Sequence, residues 1–340
     1  MTEAAAEGVP RGDRAKILIL SIAVLAIIAV VAGLTAFLGR STKRAGISGG
    51  FTVAAGELTY RSTVQGPDFG KVVEVGSKAA ANAVPVVSNV PCERSYTASR
   101  VLLCLQSEGN LISQPYAEIY DSSLKQTKKL AITGTPNRAR LSADGRMASW
   151  TTFVTGDSYT QPGASTRTSI LDLKTGEYVD SLENFNAYVD GNLYKAVDVN
   201  FWGVTFAADD TFYATMGSSG KTWLMKGDFR AHSLRSLRQN VECPSLSPDG
   251  TRIVFKKRVS DDIRHPWRFT VLNLATLQET PLAETRSVDD QAAWLDNGTV
   301  MYAVPHDDDP GSDLYAVPAD GSGTPRLLAA NGMSPSVTSG

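Results

Sequence analysis

The chain has three histidines, at positions 232, 265 and 306, and only one of them stands in a pattern that could do chemistry. His306-Asp-Asp-Asp309, followed by Asp313, clusters carboxylates in the way that suits a hard cation such as Ca²⁺. The spacing matches no EF-hand loop, and a solvated acidic hairpin loop explains it more simply. No nucleophile elbow joins a strand to a helix, and no second domain supplies one. The reading is therefore non-enzymatic, with no catalytic residue, no metal site and no cofactor assigned. Three cysteines give no C-x-x-C and no Cys/His zinc spacing. Cys92 and Cys104 flank the segment CERSYTASRVLLC, a hairpin whose turn is expected near Thr97 to Ser99. Equal arms would set the two thiols opposite one another, where a disulfide can form; the alternative is two buried free thiols. Cys243 is expected to be buried at the start of a strand.

Recognition is better supported than catalysis. Acidic and aromatic residues collect in five segments, Ser62–Gly70, Ser107–Pro115, Thr155–Arg167, Val259–Pro266 and Pro305–Gly311. The candidates for partner binding are Phe69, Asp157, Tyr159, Asp261, Asp262, Asp307, Asp308 and Asp309. The carboxylates would steer a basic partner, and the aromatics would supply contact area. Trp267 belongs with them unless it is core.

A repeated hairpin positions these segments. RLSADGRMASW begins at Arg140, PSLSPDGTRIVF at Pro244, AAWLDNGTVMY at Ala292, and a shorter VTFAADDTFY at Val204. Asp144, Asp209, Asp249 and Asp296 are 65, 40 and 47 residues apart, the length of a four-stranded propeller blade plus insertions. Asp-Gly and Asn-Gly turn the chain because they accept the required backbone angles, and the strands that follow alternate apolar and polar residues. One hairpin cannot bury its apolar face alone, so the units must stack. Six units parse over residues 51–340, an all-β six-bladed propeller. In such a ring the acidic segments, which join second to third strands, share one face. The first unit lacks its innermost strand, and Ser334 to Val337 is expected to return and supply it.

Leu246-Ser-Pro-Asp-Gly-Thr-Arg-Ile-Val-Phe255 carries a resemblance to the TolB-like β-propeller family, with weaker support from Leu141-Ser-Ala-Asp-Gly-Arg146, Ile170-Leu-Asp-Leu173 and Leu314-Tyr-Ala-Val317. The resemblance implies a ring used for binding partners. The chain departs from TolB itself in having no N-terminal α/β domain, so TolB's partner set does not carry over.

Ile17 to Leu38 replaces that domain with 22 uncharged, mostly aliphatic residues. At about 1.5 Å per residue such a helix spans a bilayer core of about 30 Å. A retained anchor is expected; a cleaved signal peptide is the alternative. Residues 1–16 form a cytoplasmic tail and 39–50 a flexible linker. Basic residues flank the apolar stretch equally, so orientation rests on the short leading tail and the folded mass behind it. The charge is near neutral, 33 basic against 35 acidic residues, and shows no nucleic-acid footprint. The expectation is a single-pass membrane protein whose extracytoplasmic propeller binds an envelope protein or cell-surface component. The alternative is a metal- or sugar-binding protein or hydrolase using the channel mouth.

Overall fold

The computed structural model describes residues 51–76, 85–109, 113–155, 164–208 and 210–338. The expected tail, membrane helix and linker, and the candidates Asp157 and Tyr159, lie outside the described residues. Among the described residues no helix is long and apolar enough to cross a membrane.

Six antiparallel-built sheets follow in chain order among the described residues. Blade 1 contributes β1 (Glu57–Ser62), β2 (Lys71–Gly76) and β3 (Val86–Pro91). Blade 2 is β4 (Arg94–Ala98), β5 (Val101–Glu108), β6 (Gln114–Tyr120) and β7 (Gln126–Ala131). Blade 3 is β8 (Thr135–Leu141), β9 (Met147–Thr155), β10 (Ala164–Asp172) and β11 (Tyr178–Val179). A 3₁₀ turn, Leu182–Asn184, and two inserted strands follow, β12 (Asn186–Val189) and β13 (Asn192–Leu193). Blade 4 is β14 (Asn200–Phe206), β15 (Thr211–Ser218), β16 (Lys221–Asp228) and β17 (Ser233–Gln239). Blade 5 is β18 (Glu242–Leu246), β19 (Arg252–Arg258), β20 (Trp267–Asn273) and β21 (Glu279–Pro281). Blade 6 is β22 (Ala293–Asp296), β23 (Thr299–Pro305), β24 (Ser312–Pro318) and β25 (Arg326–Ala329), and β26 (Gly332–Val337) ends the ring.

The repeated Ser-x-Asp-Gly is turn chemistry. Ser142 Oγ donates to Asp144 Oδ1, which also accepts from the Arg146 N–H, while Met147 N–H reaches back to Ser142 Oγ. Ser247 and Asp249 repeat the same bonds with Thr251 and Arg252. Gly145 and Gly250 take φ of 72° and 71° beside them, which glycine alone adopts at no steric cost. The Asp side chains are thus spent on backbone.

The core lies between blades. Met147 and Ile170 of blade 3 pack with Phe201, Phe212 and Met216 of blade 4, and Val254 and Phe269 of blade 5 pack with Val300 and Tyr302 of blade 6. This is how hairpins that cannot bury a face alone become stable. Blade 4 departs from four strands: β12 adds in parallel to β17 and β13 follows it, making six. The sequence reading left these residues unassigned.

β26 pairs antiparallel with β1, Leu58 opposite Val337 and Thr59 opposite Ser336, and so supplies the missing innermost strand. Buried hydroxyls lock the seam. Ser336 Oγ lies 2.9 Å from Thr59 Oγ1, 3.1 Å from Thr97 Oγ1, and accepts from the Thr97 N–H at 3.0 Å. Thr97 belongs to blade 2, so the last strand joins blades 1 and 2 as well as closing the sheet.

Cys92 and Cys104 form a disulfide with Cα atoms 5.4 Å apart. Their setting differs from the expected hairpin. The turn is Ser99-Arg100, both at positive φ, which puts Ser95, not Cys92, opposite Cys104. Cys92 precedes β4, held by its N–H to Gly70 O and by Arg61 Nε to its carbonyl. The bridge therefore ties blade 2 to the chain arriving from blade 1. Cys243 is buried and free, as its position suggested.

Candidate functional site

One large cleft, about 1210 Å³, opens on the face that carries the second-to-third-strand loops. It sits off-centre, over blades 3, 4 and 5, and loop length explains why. Blade 4 turns from β15 to β16 through two residues, Ser219 and Gly220, both at positive φ, as a tight hairpin requires. Its neighbours run longer: residues 156–163 in blade 3 and 259–266 in blade 5. The short turn leaves a trough between the facing ends of β9 and β10 on one side and the 259–266 loop on the other.

The floor is stiffened from the inserted segment. Asp198 accepts from Ser218 Oγ and from the Ser219 N–H, both at 2.6 Å. These bonds hold its carboxyl below the usual carboxylate range. On one side Asn200 Oδ1 accepts from Ser165 Oγ and the Thr166 N–H, tying β10 to β14. On the other, Asn240 exchanges two bonds with the backbone of Arg258. Trp202 lies against Gly217, where an added Cβ would stand 2.5 Å from the indole. Glycine there is what seats the ring.

Apolar surface lines the rim: Phe153 is 43% exposed, Val259 56% and Val197 87%. Trp202 and Trp267 are half-buried in the wall. Trp267 carries Lys256 Nζ and the Arg258 guanidinium, each 4.6 Å from its ring centre. It is cleft wall, not blade core.

The bottom of the cleft is charged. Glu242 stands opposite Lys256 in the β18–β19 ladder, and Lys256 Nζ bonds Asp289 on the connector into blade 6. Arg138 reaches Asp290 at 3.3 Å and Asp289 at 3.9 Å, and Arg94 reaches Asp290 at 3.7 Å. Burial pushes the Glu242 carboxyl above its usual range, against the pull of Lys256 and Arg258. Burial also acts upward on Asp289, but Lys256, Arg138 and Arg94 outweigh it and leave that carboxyl low.

Below this layer side chains fill the channel. Arg140 stacks on Tyr96 and donates to Ala292 O, and Gln291 Nε2 donates to Val204 O and Pro244 O. A void of about 20 Å³, one water in size, remains among Arg94, Tyr96, Arg138, Arg140 and Gln291.

Few of the sequence candidates meet here. Asp261 lines the cleft. Asp262 is engaged by Arg264 and His265 beside it. Phe69, 42% exposed on the blade 1 loop, lies under Arg61. Asp307 and Asp308 are exposed on the blade 6 loop, and Asp309 pairs with His306 at 2.8 Å. His306 also contacts Asp313 at 3.1 Å, and hydrogen bonds to Asp313 and Asp309 raise the pKa of its imidazole. Among the described residues no group of three or more His, Cys, Asp or Glu is arranged to hold a metal ion. The sequence reading missed Arg94, Arg138, Lys256, Trp202, Glu242 and Asp289. A usable signal existed: Arg94-Ser-Tyr96 and Arg138-Ala-Arg140 place large polar residues two apart on innermost strands, hence toward the channel.

No family model and no curated protein matches the sequence. Solved structures do. TolB from Acinetobacter baumannii superimposes with a TM-score of 0.62 over 83% of this chain and 67% of that one, at 16% identity. A TolB candidate from Agrobacterium tumefaciens gives a TM-score of 0.48 at 12% identity, over 83% of this chain and 92% of that one. An oligogalacturonate lyase in complex with manganese gives 0.45 at 10% identity, over 77% and 76%. The fold is that of the TolB-like six-bladed β-propellers. At these identities the likeness is one of fold.

Proposed function

We propose that this chain is a non-enzymatic, membrane-anchored propeller that binds another protein of the cell envelope on its extracytoplasmic side. The apolar stretch Ile17 to Leu38 is the anchor in this reading. The observation that carries the binding role is the off-centre cleft, whose stiff floor is ringed by exposed Phe153, Val197 and Val259 and walled by Trp202 and Trp267. Aromatic side chains on a pre-formed surface supply most of the energy in protein interfaces, because they bury large area with few rotors to freeze. The fold likeness to TolB is consistent with a scaffold of this kind.

Affinity capture from the native envelope, with the full-length chain in nonionic detergent as bait, tests this. Val197→Asp and Trp202→Ala should each weaken capture of a specific partner by about tenfold or more, the cost of losing an interface anchor. Leu277→Ser, between β20 and β21 on the opposite face, should leave capture unchanged. The reverse pattern would place the partner elsewhere. The competing reading, a hydrolase or sugar-binding site, draws on one feature. Glu242 and Asp289 share the cleft while their surroundings push their carboxyls in opposite directions, as in acid–base pairs.

A further inference from the structure

Buried positive charge at the bottom of the cleft exceeds the carboxylates that answer it. Arg94, Arg138, Arg140 and Lys256 come from blades 2, 3 and 5, and each side chain is largely withdrawn from solvent: 20% exposed for Arg94, 10% for Arg138 and 4% for Lys256, with Arg140 5% exposed as a residue. In contact with them are two carboxylates, Asp289 and Asp290, and the buried Cys243, whose sulfur is a hydrogen-bond partner of Arg138. Glu242, opposite Lys256 in the β18–β19 ladder, is the third acid nearby, and four cations still exceed three acids. Glu93 and Arg61 lie close to Arg94 as one further charge of each sign. Arg140 meets a carbonyl and a tyrosine ring but no carboxylate among the described residues. The Nε atoms of Arg138 and Arg140 are buried with no acceptor among the described residues. Both residues line the same small void beneath the cleft, and Arg138 also lines the cleft itself.

Withdrawing a cation from water is costly unless an anion or acceptor answers it. Asp289 answers from a side chain that opens 71% of its surface to the cleft while the cations around it hold its charge, so an incoming carboxylate can compete for its place. We infer that the bottom of the cleft is an anion socket that takes a carboxylate of the docked partner, seated against Arg138 and Lys256 in exchange for Asp289. The guanidinium fork favours a planar carboxylate, to which it can donate two parallel bonds. Trp202 and Phe153 above the socket cover the apolar stem or neighbouring residues of the peptide that carries it. The partner chemistry is thus an acidic extended peptide, either through an Asp or Glu side chain or through a chain terminus. This rests on the cleft being the docking surface. It shifts the attraction from the loops, where Asp68, Asp262 and Asp309 are already paired with Lys71, Arg264 and His306, to the cationic floor.

Calorimetry on the full-length chain in nonionic detergent, with three unlabelled peptides, tests the inference. Acetyl-hexaglutamate amide offers side-chain carboxylates, acetyl-hexaalanine acid offers only a terminus, and acetyl-hexaglutamine amide offers neither. At least one of the first two should bind measurably above the third, and which one does identifies the source. Arg138→Gln should weaken that binding by about tenfold or more, as expected for a lost charge-assisted bond. Asp289→Asn removes the internal competitor and should tighten binding by about threefold or more. That gain cannot arise from misfolding, and a melting curve of each variant accounts for Arg138→Gln. Equal binding of all three peptides, or affinities unmoved by both substitutions, overturns the socket. If the carboxylate peptides fail while Val197→Asp and Trp202→Ala still abolish partner capture, the docking surface stands and its role as an anion socket falls. If capture survives those two variants, the docking surface falls whatever the peptides do.

Discussion

Ser336 offers a single-atom test of ring closure. Its hydroxyl is 1% exposed as part of the residue and serves three partners at once, Thr59 Oγ1, Thr97 Oγ1 and the Thr97 N–H. Ser336→Ala keeps the strand and removes the hub. The two threonine hydroxyls can still bond each other at 2.6 Å, so the main loss is the acceptor for Thr97 N–H, in a residue that is 0% exposed. A buried donor left without an acceptor costs about 1–3 kcal/mol. Each kcal/mol moves the melting temperature of a domain this large by roughly 2–4 °C, so the variant should melt about 2–12 °C lower. Truncation after Asn331 goes further. It strips the β1 ladder that pairs Leu58 with Val337 and Ser62 with Gly332, and exposes an edge in the middle of the ring. The truncated chain should lose its cooperative transition altogether. The assay is thermal unfolding of the full-length protein followed by near-UV circular dichroism, which reads tertiary packing. A Ser336→Ala curve within 1 °C of wild type, together with an intact transition in the truncated chain, would falsify the view that β26 holds the ring shut.

Two further outcomes follow from the same structure. Glu242 has a folded-state pKa above its unfolded value, so the folded chain binds more protons between the two and stability falls as pH rises through that window. Glu242→Gln should remove this fall: the variant should match wild type below about pH 4, where the carboxyl is protonated in both states, and melt higher near pH 7. A melting difference that does not change with pH would refute the assignment. The Cys92–Cys104 bridge closes a short loop of sequence separation 12 and pins blade 2 to the incoming chain. Reducing it should cost about 2–4 kcal/mol in stability, and non-reducing peptide mapping should recover the two residues in one fragment pair.

The ring itself was legible in the chain. Ser-x-Asp-Gly turns and period-two strands are local features, set by backbone angles and side chains a few residues apart, so they can be read without knowing the fold. The closing strand was legible for a related reason: Ser334-Pro-Ser-Val337 copies Cys243-Pro-Ser-Leu246, and a ring with one strand missing needs it. The cysteine pairing came from the right residues with the wrong register, because two positive-φ residues at Ser99 and Arg100 move the turn toward the C-terminus of the hairpin. The loop charges and their neighbours were visible, but not which of them pair, such as Arg264 with Asp262 and His306 with Asp309, because that depends on how each loop folds back.

What the chain alone determined, then, is architecture: strand period, turn chemistry and repeat spacing are short-range, and six stacked units with a returning end leave little freedom. The cleft was decided only in three dimensions. It exists because a two-residue turn in blade 4 falls beside the strand ends of blade 3 and the longer loop of blade 5. Its charged floor exists because Arg94, Arg138, Lys256 and Asp289, up to 195 positions apart in the chain, converge on one end of the channel. Beyond the paired polar positions at Arg94-Ser-Tyr96 and Arg138-Ala-Arg140, nothing local marks such residues. Their meaning comes from burial and from the charges they face, and those are properties of the assembled ring.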